Sequence, residues 1–401
     1  MEETSEIIQR PLYLERLRPF INKNLIKVIT GQRRVGKSYI LKAIIREVLK
    51  MEPTSNIVYL DLEDFAFSHI KTAEELHEEI TSKLRVNTKN YIFIDEIQEV
   101  KDFEKVIRSL NLDNLNDIYV TGSNSNMLSS EISTRLAGRS YNLKIHPLSY
   151  KEFIDFHKKL DSDETLNTFL RYGGLPYLIN IPDENNWNEY ISGVTDAVVY
   201  RDIVSRHSLR NNDFLQRLLL FTADNIGQLF TAKKIADYLK SQRITSSVAG
   251  VQSYVDYLEE AFIINRVKRW DIEGKRYFEI GEKLFFEDMG IRNSIIGFKP
   301  DHISGLLENA VYNQLSIQGY KIKIGVGNKN REIDFVAEKN GEIKYLQVAV
   351  SLLEEKTRIR EFGNLEEIKD NYEKIIVTLH DSFPNSHNGI KTLSLREFLL
   401  S

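Results

Sequence analysis

The sequence has no cysteine, which excludes disulfides, thiolate nucleophiles, iron-sulfur clusters and cysteine-ligated zinc. Histidine is sparse too: eight residues in 401, with no His-Glu-x-x-His spacing or comparable cluster, so a metal site built on imidazoles is not expected. No run of about 18 apolar residues occurs, and Met1 to Arg10 is polar and acidic rather than a charged stub leading into an apolar core. The expectation is a cytoplasmic chain that neither crosses a membrane nor is secreted. Positive charge is not in excess. With a formal net charge of -4, any contact with nucleic acid must come from local basic patches.

Apolar residues make up 42% and charged residues 28% of the chain, the balance of a globular protein. Its 401 residues exceed what one hydrophobic core usually spans, so several domains are expected. The first third alternates β-rich runs with helical patterns. Strands are expected at Leu25 to Thr30, Ile57 to Leu62, Tyr91 to Asp95, Ile118 to Gly122 and Tyr141 to Ile145. Between them, Ile40, Leu41, Ile44 and Val48 share one helical stripe, and Leu76, Ile80 and Leu84 another. Alternation of this kind predicts an α/β fold with a doubly wound parallel sheet covered on both faces.

Residues 1–148 are therefore read as one α/β core. Helical patterns dominate 149–210, interrupted by Gly173-Gly174-Leu175-Pro176, which cannot sit inside a helix; this stretch is read as a helical lid with a bend. Residues 211–281 read as three helices followed by a hairpin of Phe262 to Lys268 and Lys275 to Ile280, a winged helix-turn-helix. Its third helix carries Asp256, Glu259 and Glu260 and no basic residue, a poor major-groove reader. The wing suits a phosphate backbone better: Arg266, Lys268, Arg269, Lys275 and Arg276 against Asp271 and Glu273 give five minus two, or +3. Residues 282–401 form the last expected domain. Its strands are expected at Lys321 to Val326, Glu332 to Glu338, Ile343 to Val350 and Lys374 to Thr378, with helices at Leu306 to Gln318 and Glu366 to Tyr372.

The chemistry concentrates near the N-terminus. Gly31-Gln32-Arg33-Arg34-Val35-Gly36-Lys37-Ser38 fits G-x-x-x-x-G-K-S at every fixed position, after an apolar strand and at the start of a helix. Glycines let successive N–H groups turn toward phosphate oxygens, and the helix N-terminus adds a favourable dipole. Lys37 is expected to neutralise the β- and γ-phosphates of ATP and Ser38 to ligate Mg²⁺. Arg33 and Arg34 suit partner or adenine-side contacts, and Tyr39 follows at the helix start. Tyr91 to Glu96 is an apolar strand ending in two acids, of which Asp95 would hold Mg²⁺ and Glu96 would activate the attacking water.

Thr121-Gly122-Ser123-Asn124 ends the next strand, where Asn124, or failing it Ser123, could sense the γ-phosphate; both are equally natural helix caps. Arg135 and Arg139 could place a guanidinium at the phosphates of the same subunit or, in a homo-oligomer, of a neighbour.

These stretches, with Pro147-Leu148-Ser149, Gly173 to Pro176 and Glu332-Ile333-Asp334-Phe335, resemble bacterial and archaeal AAA-type ATPases that join an N-terminal P-loop module to a C-terminal domain of unknown function. The resemblance implies the strand order of additional-strand P-loop ATPases, a lid and a winged helix, with Gly174 and Pro176 approaching the nucleotide. It also implies a last domain similar to the restriction-endonuclease fold. There Glu308 and Asp334 match two of the acids, but Gln347 and Ala349 stand where Glu and Lys are wanted. Such a site lacks a metal ligand and a proton carrier, so an inactive nuclease fold kept for binding or assembly is expected. Lys321, Lys323, Lys329 and Arg331 add a second basic run. The function expected is an ATP-driven switch acting on a protein or DNA partner. The alternatives are a nucleotide-gated binder with negligible turnover and an ATP-licensed nuclease.

Overall fold

A computed structural model describes residues 9–128, 134–136, 138–209, 211–327, 331–380 and 386–401. Lys329 and Ala137 lie outside them. The chain divides into two compact units: one runs to His146 and includes Glu260–Phe262, and the other comprises Pro147–Glu259 and Ile263–Ser401.

The first unit holds five parallel strands, β1 (Ile26–Thr30), β2 (Asn56–Asp61), β3 (Asn90–Asp95), β4 (Asn116–Gly122) and β5 (Ser140–Lys144), in the order β2-β3-β4-β1-β5. Every residue of β1, β3 and β4 is buried, as expected of inner strands covered on both faces, whereas the edge strands β2 and β5 are buried only in part. Strand alternation divides the core in two. Val28, Ile92, Ile94 and Val120 face the helices Ala73–Thr81 and Phe103–Leu110, while Ile29, Tyr91, Phe93 and Tyr119 face the helices Pro11–Leu17 and Lys37–Met51. One charged pair lies within this core: Lys27 and Asp117, both fully buried, form an ion pair. The Tyr119 hydroxyl (3.0 Å) and the Asn22 amide (2.9 Å) also donate to Asp117, so both carboxylate oxygens are hydrogen-bonded.

The second unit opens with the helices Tyr150–His157, Asp163–Tyr172 and Trp187–Ala197, the last running on as a π-helical stretch, Val198–Ser205. Gly173 ends the second of these and Pro176 begins a short 3₁₀ helix, Pro176–Asn180, so the Gly-Gly-Leu-Pro bend is real. Three helices follow, Asn212–Asp224, Ala232–Ser241 and Val248–Glu260, and then a nine-stranded mixed sheet. Its strands are β6 (Leu229–Phe230), β7 (Ile264–Asp271), β8 (Arg276–Phe286), β9 (Lys321–Val326), β10 (Glu332–Lys339), β11 (Glu342–Ala349), β12 (Glu373–Thr378), β13 (Ser386–His387) and β14 (Ile390–Ser394). They lie in the order β13-β14-β12-β11-β10-β9-β7-β8-β6.

Two sequence expectations are revised here. The hairpin expected as a separate wing is longer than expected, and it joins the C-terminal sheet through a parallel β7–β9 pairing (Arg269 to Ile324, Asp271 to Val326). The boundary expected at 281/282 thus falls inside β8. The last helix before β12 is Glu355–Glu366 rather than Glu366 to Tyr372. Asp370 accepts the Tyr372 amide at 3.2 Å, a local side-chain bond that closes a turn where a helix was expected.

Candidate functional site

The loop between β1 and the helix Lys37–Met51 is shaped by its glycines. A Cβ on Gly31 would lie 2.2 Å from the Ile145 carbonyl oxygen, and Gly36 has φ of +95°, so neither position accepts a side chain without strain. Arg10 braces the loop from outside: its guanidinium, buried to 4% exposure, donates to the carbonyls of Val35 (3.1 Å) and His146 (2.8 Å). Lys37, also 4% exposed, donates to the carbonyls of Gly31 (3.1 Å) and Gln32 (3.2 Å) and stands 3.3 Å from Glu96 Oε1. Arg33 is tied to Glu63 at 2.8 Å, while Arg34 and Tyr39 are exposed.

β3 delivers the two acids. Asp95 accepts the hydroxyls of Thr121, Ser38 and, at 3.4 Å, Tyr59. Burial pushes its pKa up, and the Ser38 and Thr121 hydroxyls work against that rise. Glu96 follows in a left-handed turn (φ 54°), its amide bonded to Thr121 Oγ1 at 3.0 Å. Its carboxylate receives the Gln98 amide, whose same nitrogen reaches Ser123 Oγ at 3.3 Å. Burial acts to raise the Glu96 pKa, but Lys37, Gln98 and Arg33 outweigh it and hold it at about 2.

The other expected residues fall less centrally. Asn124 uses its Oδ1 to accept the Asn126 amide (2.7 Å), capping the 3₁₀ turn Ser125–Leu128, whereas the Ser123 hydroxyl reaches the Glu96 network through Gln98. Arg135 pairs with Glu104 at 3.1 Å, and Arg139 is exposed just ahead of β5. Gly174 and Pro176 belong to the second unit, where the Gly174 amide donates to Asp288 Oδ2 (2.8 Å) and its carbonyl accepts from Leu148 (2.7 Å). Sequence reasoning missed Arg10, Tyr59, Glu63 and Gln98. Only Gln98, a polar residue just past the paired acids, left a readable trace.

The residues present suit a nucleoside triphosphate with Mg²⁺. Thr30 Oγ1 and both polar atoms of the Gln32 amide are buried at the loop without a hydrogen bond among the described residues, donors and acceptors still uncommitted. Ser38 and Asp95 supply the oxygen ligands a hard divalent cation takes. When bound, that ion would neutralise charge on the phosphates.

The basic patches of the second unit are largely neutralised from within, contrary to the +3 wing read from sequence. Arg266 pairs with Asp256, with Glu259 (3.7 Å) and with Glu282 (2.8 Å), so the acidic third helix spends its charge on the wing. Arg276 pairs with Asp271 (3.5 Å), Lys323 with Glu338 (2.9 Å) and Arg331 with Glu367 (2.9 Å). Lys268, Lys275 and Lys321 remain exposed. In the C-terminal sheet, Glu308, Asp334 and Gln347 line one cavity of about 660 Å³. Both polar atoms of Gln347 are engaged: its Oε1 accepts the Asp334 amide and its Nε2 donates to Glu361, each at 2.7 Å. Ala349 is packed into the adjoining apolar core.

Among the described residues no helix is long and apolar enough to cross a membrane. A family model described as an AAA domain matches residues 23–154, and a domain of unknown function matches residues 163–302. An uncharacterized protein of Haemophilus influenzae is 37% identical over 98% of this chain and 99% of its own length. One from Methanocaldococcus jannaschii is 34% identical over 89% of this chain and 83% of its own. Among solved structures, the Aeropyrum pernix ORC1 protein in complex with DNA aligns at TM-score 0.36 and 12% identity, over 73% of this chain and 94% of that one. AMPPCP-bound DnaA from Aquifex aeolicus aligns at TM-score 0.32 and 14% identity, over 62% and 84%. With the P-loop on β1, paired acids on β3 and β4 between them, the chain belongs to the family of AAA-domain P-loop proteins that includes these Haemophilus and Methanocaldococcus relatives.

Proposed function

We propose that this protein is a Mg²⁺-dependent ATPase whose nucleotide cycle acts as a switch on a protein or DNA partner engaged by the second unit. The observation that carries this reading is the convergence of Lys37, Ser38, Asp95 and Glu96 at one end of the parallel sheet. Lys37 and Ser38 have the chemistry to grip phosphate and metal, and Asp95 to complete the metal's oxygen shell. A protein that only held ATP would have no use for Glu96, an ionised carboxylate positioned by Gln98 and Lys37. Lys37 spans both tasks: its ammonium must leave Glu96 to meet phosphate, which frees the acid's basicity when nucleotide is present.

Lys37→Ala is the direct test of nucleotide binding. Loss of a charge-assisted contact to phosphate is expected to weaken ATP binding by about 2 kcal/mol or more, roughly 30-fold. Calorimetric titration reads it, and unchanged affinity would remove the P-loop assignment.

The nuclease alternative is tested separately. Gln347 and Ala349 leave the cavity without the acid and base of the expected motif, so no nicking of supercoiled plasmid is expected in Mg²⁺ or Mn²⁺, with or without ATP. Nicking by the wild type that disappears in Asp334→Ala would establish an ATP-licensed nuclease instead.

A further inference from the structure

Arg33, Arg34, Arg135 and Arg139 are the arginines that the sequence places near the phosphates, and their surroundings separate them. Arg139 stands at the far end of the parallel sheet, where its carbonyl accepts the Ile26 amide at 2.8 Å. Ile26 opens β1, whereas Gly31 follows the other end of that strand, about 16 Å away at the rise of an extended chain. Arg135 is engaged by Glu104, 3.1 Å away on the helix Phe103–Leu110. Within the loop the two neighbouring arginines diverge. Arg34, with φ of 70°, is exposed, whereas Arg33 is buried to 8% exposure.

Arg33 stands between two acids. Its Nη1 lies 2.8 Å from Glu63 Oε1. Glu63 sits in the turn after β2, where its amide donates to Asp61 Oδ1 at 3.1 Å, and Asp61 lies beside Asp95 in the β2–β3 register. The turn that carries Glu63 therefore adjoins the turn that carries Glu96. The Arg33 charge is felt at that second acid too: against burial, Lys37, Gln98 and Arg33 together hold the Glu96 carboxylate at about 2. A guanidinium that acts on Glu96 belongs to the side of the loop where water and the terminal phosphate meet. Glu96 is the base for that water, and Lys37, 3.3 Å from it, is the ammonium for the β- and γ-phosphates.

We propose that Arg33 is the guanidinium that grips the γ-phosphate of ATP from within its own chain, and that Glu63 is the carboxylate that holds it when no γ-phosphate is bound. This assignment rests on the reading of the protein as a Mg²⁺-dependent ATPase.

The exchange of partners is favourable on charge. The Glu63 side chain is 35% exposed, so water screens its hold on Arg33. A terminal phosphate carries more charge and presents several acceptor oxygens, which a planar guanidinium meets with two parallel N–H bonds. In hydrolysis the water oxygen bonds to the γ-phosphorus as the bond to the β,γ-bridging oxygen breaks. ADP keeps that electron pair and Glu96 takes the water's proton. Arg33 makes no covalent bond in this step; it offsets the negative charge on the γ-oxygens during transfer. Once phosphate has left, the guanidinium returns to Glu63, so the ADP-bound and nucleotide-free proteins share the same Arg33–Glu63 pair.

The test is calorimetric titration of the full chain, in Mg²⁺, with the non-hydrolysable triphosphate AMPPCP and with ADP, for wild type, Arg33→Ala and Glu63→Gln. Arg33→Ala is expected to weaken AMPPCP binding by about 10- to 100-fold, the range for a charge-assisted contact, and to leave ADP binding as it was. Glu63→Gln separates a phosphate contact from a mere brace of the loop. Breaking a brace from either side costs the same, but relieving Arg33 of its competitor should hold AMPPCP affinity or raise it. The proposal is overturned if Arg33→Ala weakens both nucleotides equally or neither, or if Glu63→Gln loses AMPPCP affinity as Arg33→Ala does. Should Arg33→Ala fail to fold, Arg33→Lys keeps the charge without the fork and should still lower the preference for AMPPCP over ADP. An unchanged preference in that variant equally overturns the proposal. The ATPase reading fails by a different result: a wild type that binds neither nucleotide removes both, whereas a wild type that binds both beside an unaltered Arg33→Ala removes only the role of Arg33.

Discussion

Glu96→Gln should slow ATP hydrolysis by a factor on the order of 100 to 10,000 while ATP and Mg²⁺ remain bound, the usual contribution of a positioned general base. The substitution keeps size and shape at the end of β3 and leaves Ser38 and Asp95, the expected metal ligands, untouched. What it removes is the proton acceptor. It also removes the charge 3.3 Å from Lys37, so nucleotide affinity should hold or improve, since phosphate no longer competes with Glu96 for that ammonium. Because Glu96 is held at about 2 in the nucleotide-free protein, its protonation should not limit kcat/KM between about pH 5 and pH 8, where the carboxylate stays ionised. Phosphate release measured across that range checks both points. Equal slow turnover by wild type and variant would favour a nucleotide-gated binder.

Asp117→Ala should destabilise the first unit by about 3–5 kcal/mol, the cost of leaving a buried charge without its counterion. Lys27 is fully buried, and its carboxylate partner is the counterion beside a core of aliphatic and aromatic side chains. Burial already lowers the Lys27 pKa, with Asp117 opposing. Removing Asp117 also strips an acceptor from the Tyr119 hydroxyl and the Asn22 amide. The double variant Lys27→Met/Asp117→Leu should recover most of the loss, because apolar replacement of both partners avoids the desolvation cost altogether. Both tryptophans, Trp187 and Trp270, belong to the second unit, so calorimetry rather than tryptophan fluorescence must follow this transition. A double variant as unstable as Asp117→Ala would mean that the pair is not what the core depends on.

The parallel sheet was readable because β1, β3 and β4 each contain an apolar run (Val28-Ile29, Tyr91 to Ile94 and Ile118 to Val120), as strands buried on both faces require. The P-loop was readable because its chemistry is local: glycines, lysine and serine at fixed spacing. Long-range features left no comparable trace. Arg10 meets His146 across 136 positions, and nothing near Arg10 announces that it will brace a loop. The helix Glu355–Glu366 went unseen since it buries only Glu361, Phe362 and Leu365, too few apolar positions to mark a helical period. Arg266 looked like a phosphate contact in the sequence, where its partners on the preceding helix and on β8 could not be counted.

The pairing of β7 with β9 bears on how this chain can be taken apart. The partner of Arg269, Trp270 and Asp271 is supplied more than fifty positions later, by Ile324, Gly325 and Val326. A fragment ending near residue 281 would split β8, and one ending near residue 302 would keep the hairpin but strip it of β9. Either would present β7 as an open edge, its amides and carbonyls free to recruit another chain's strand. Such fragments should be lost to strand exchange and precipitation, whereas a piece beginning after His146 and continuing to Ser401 carries its own edge protection.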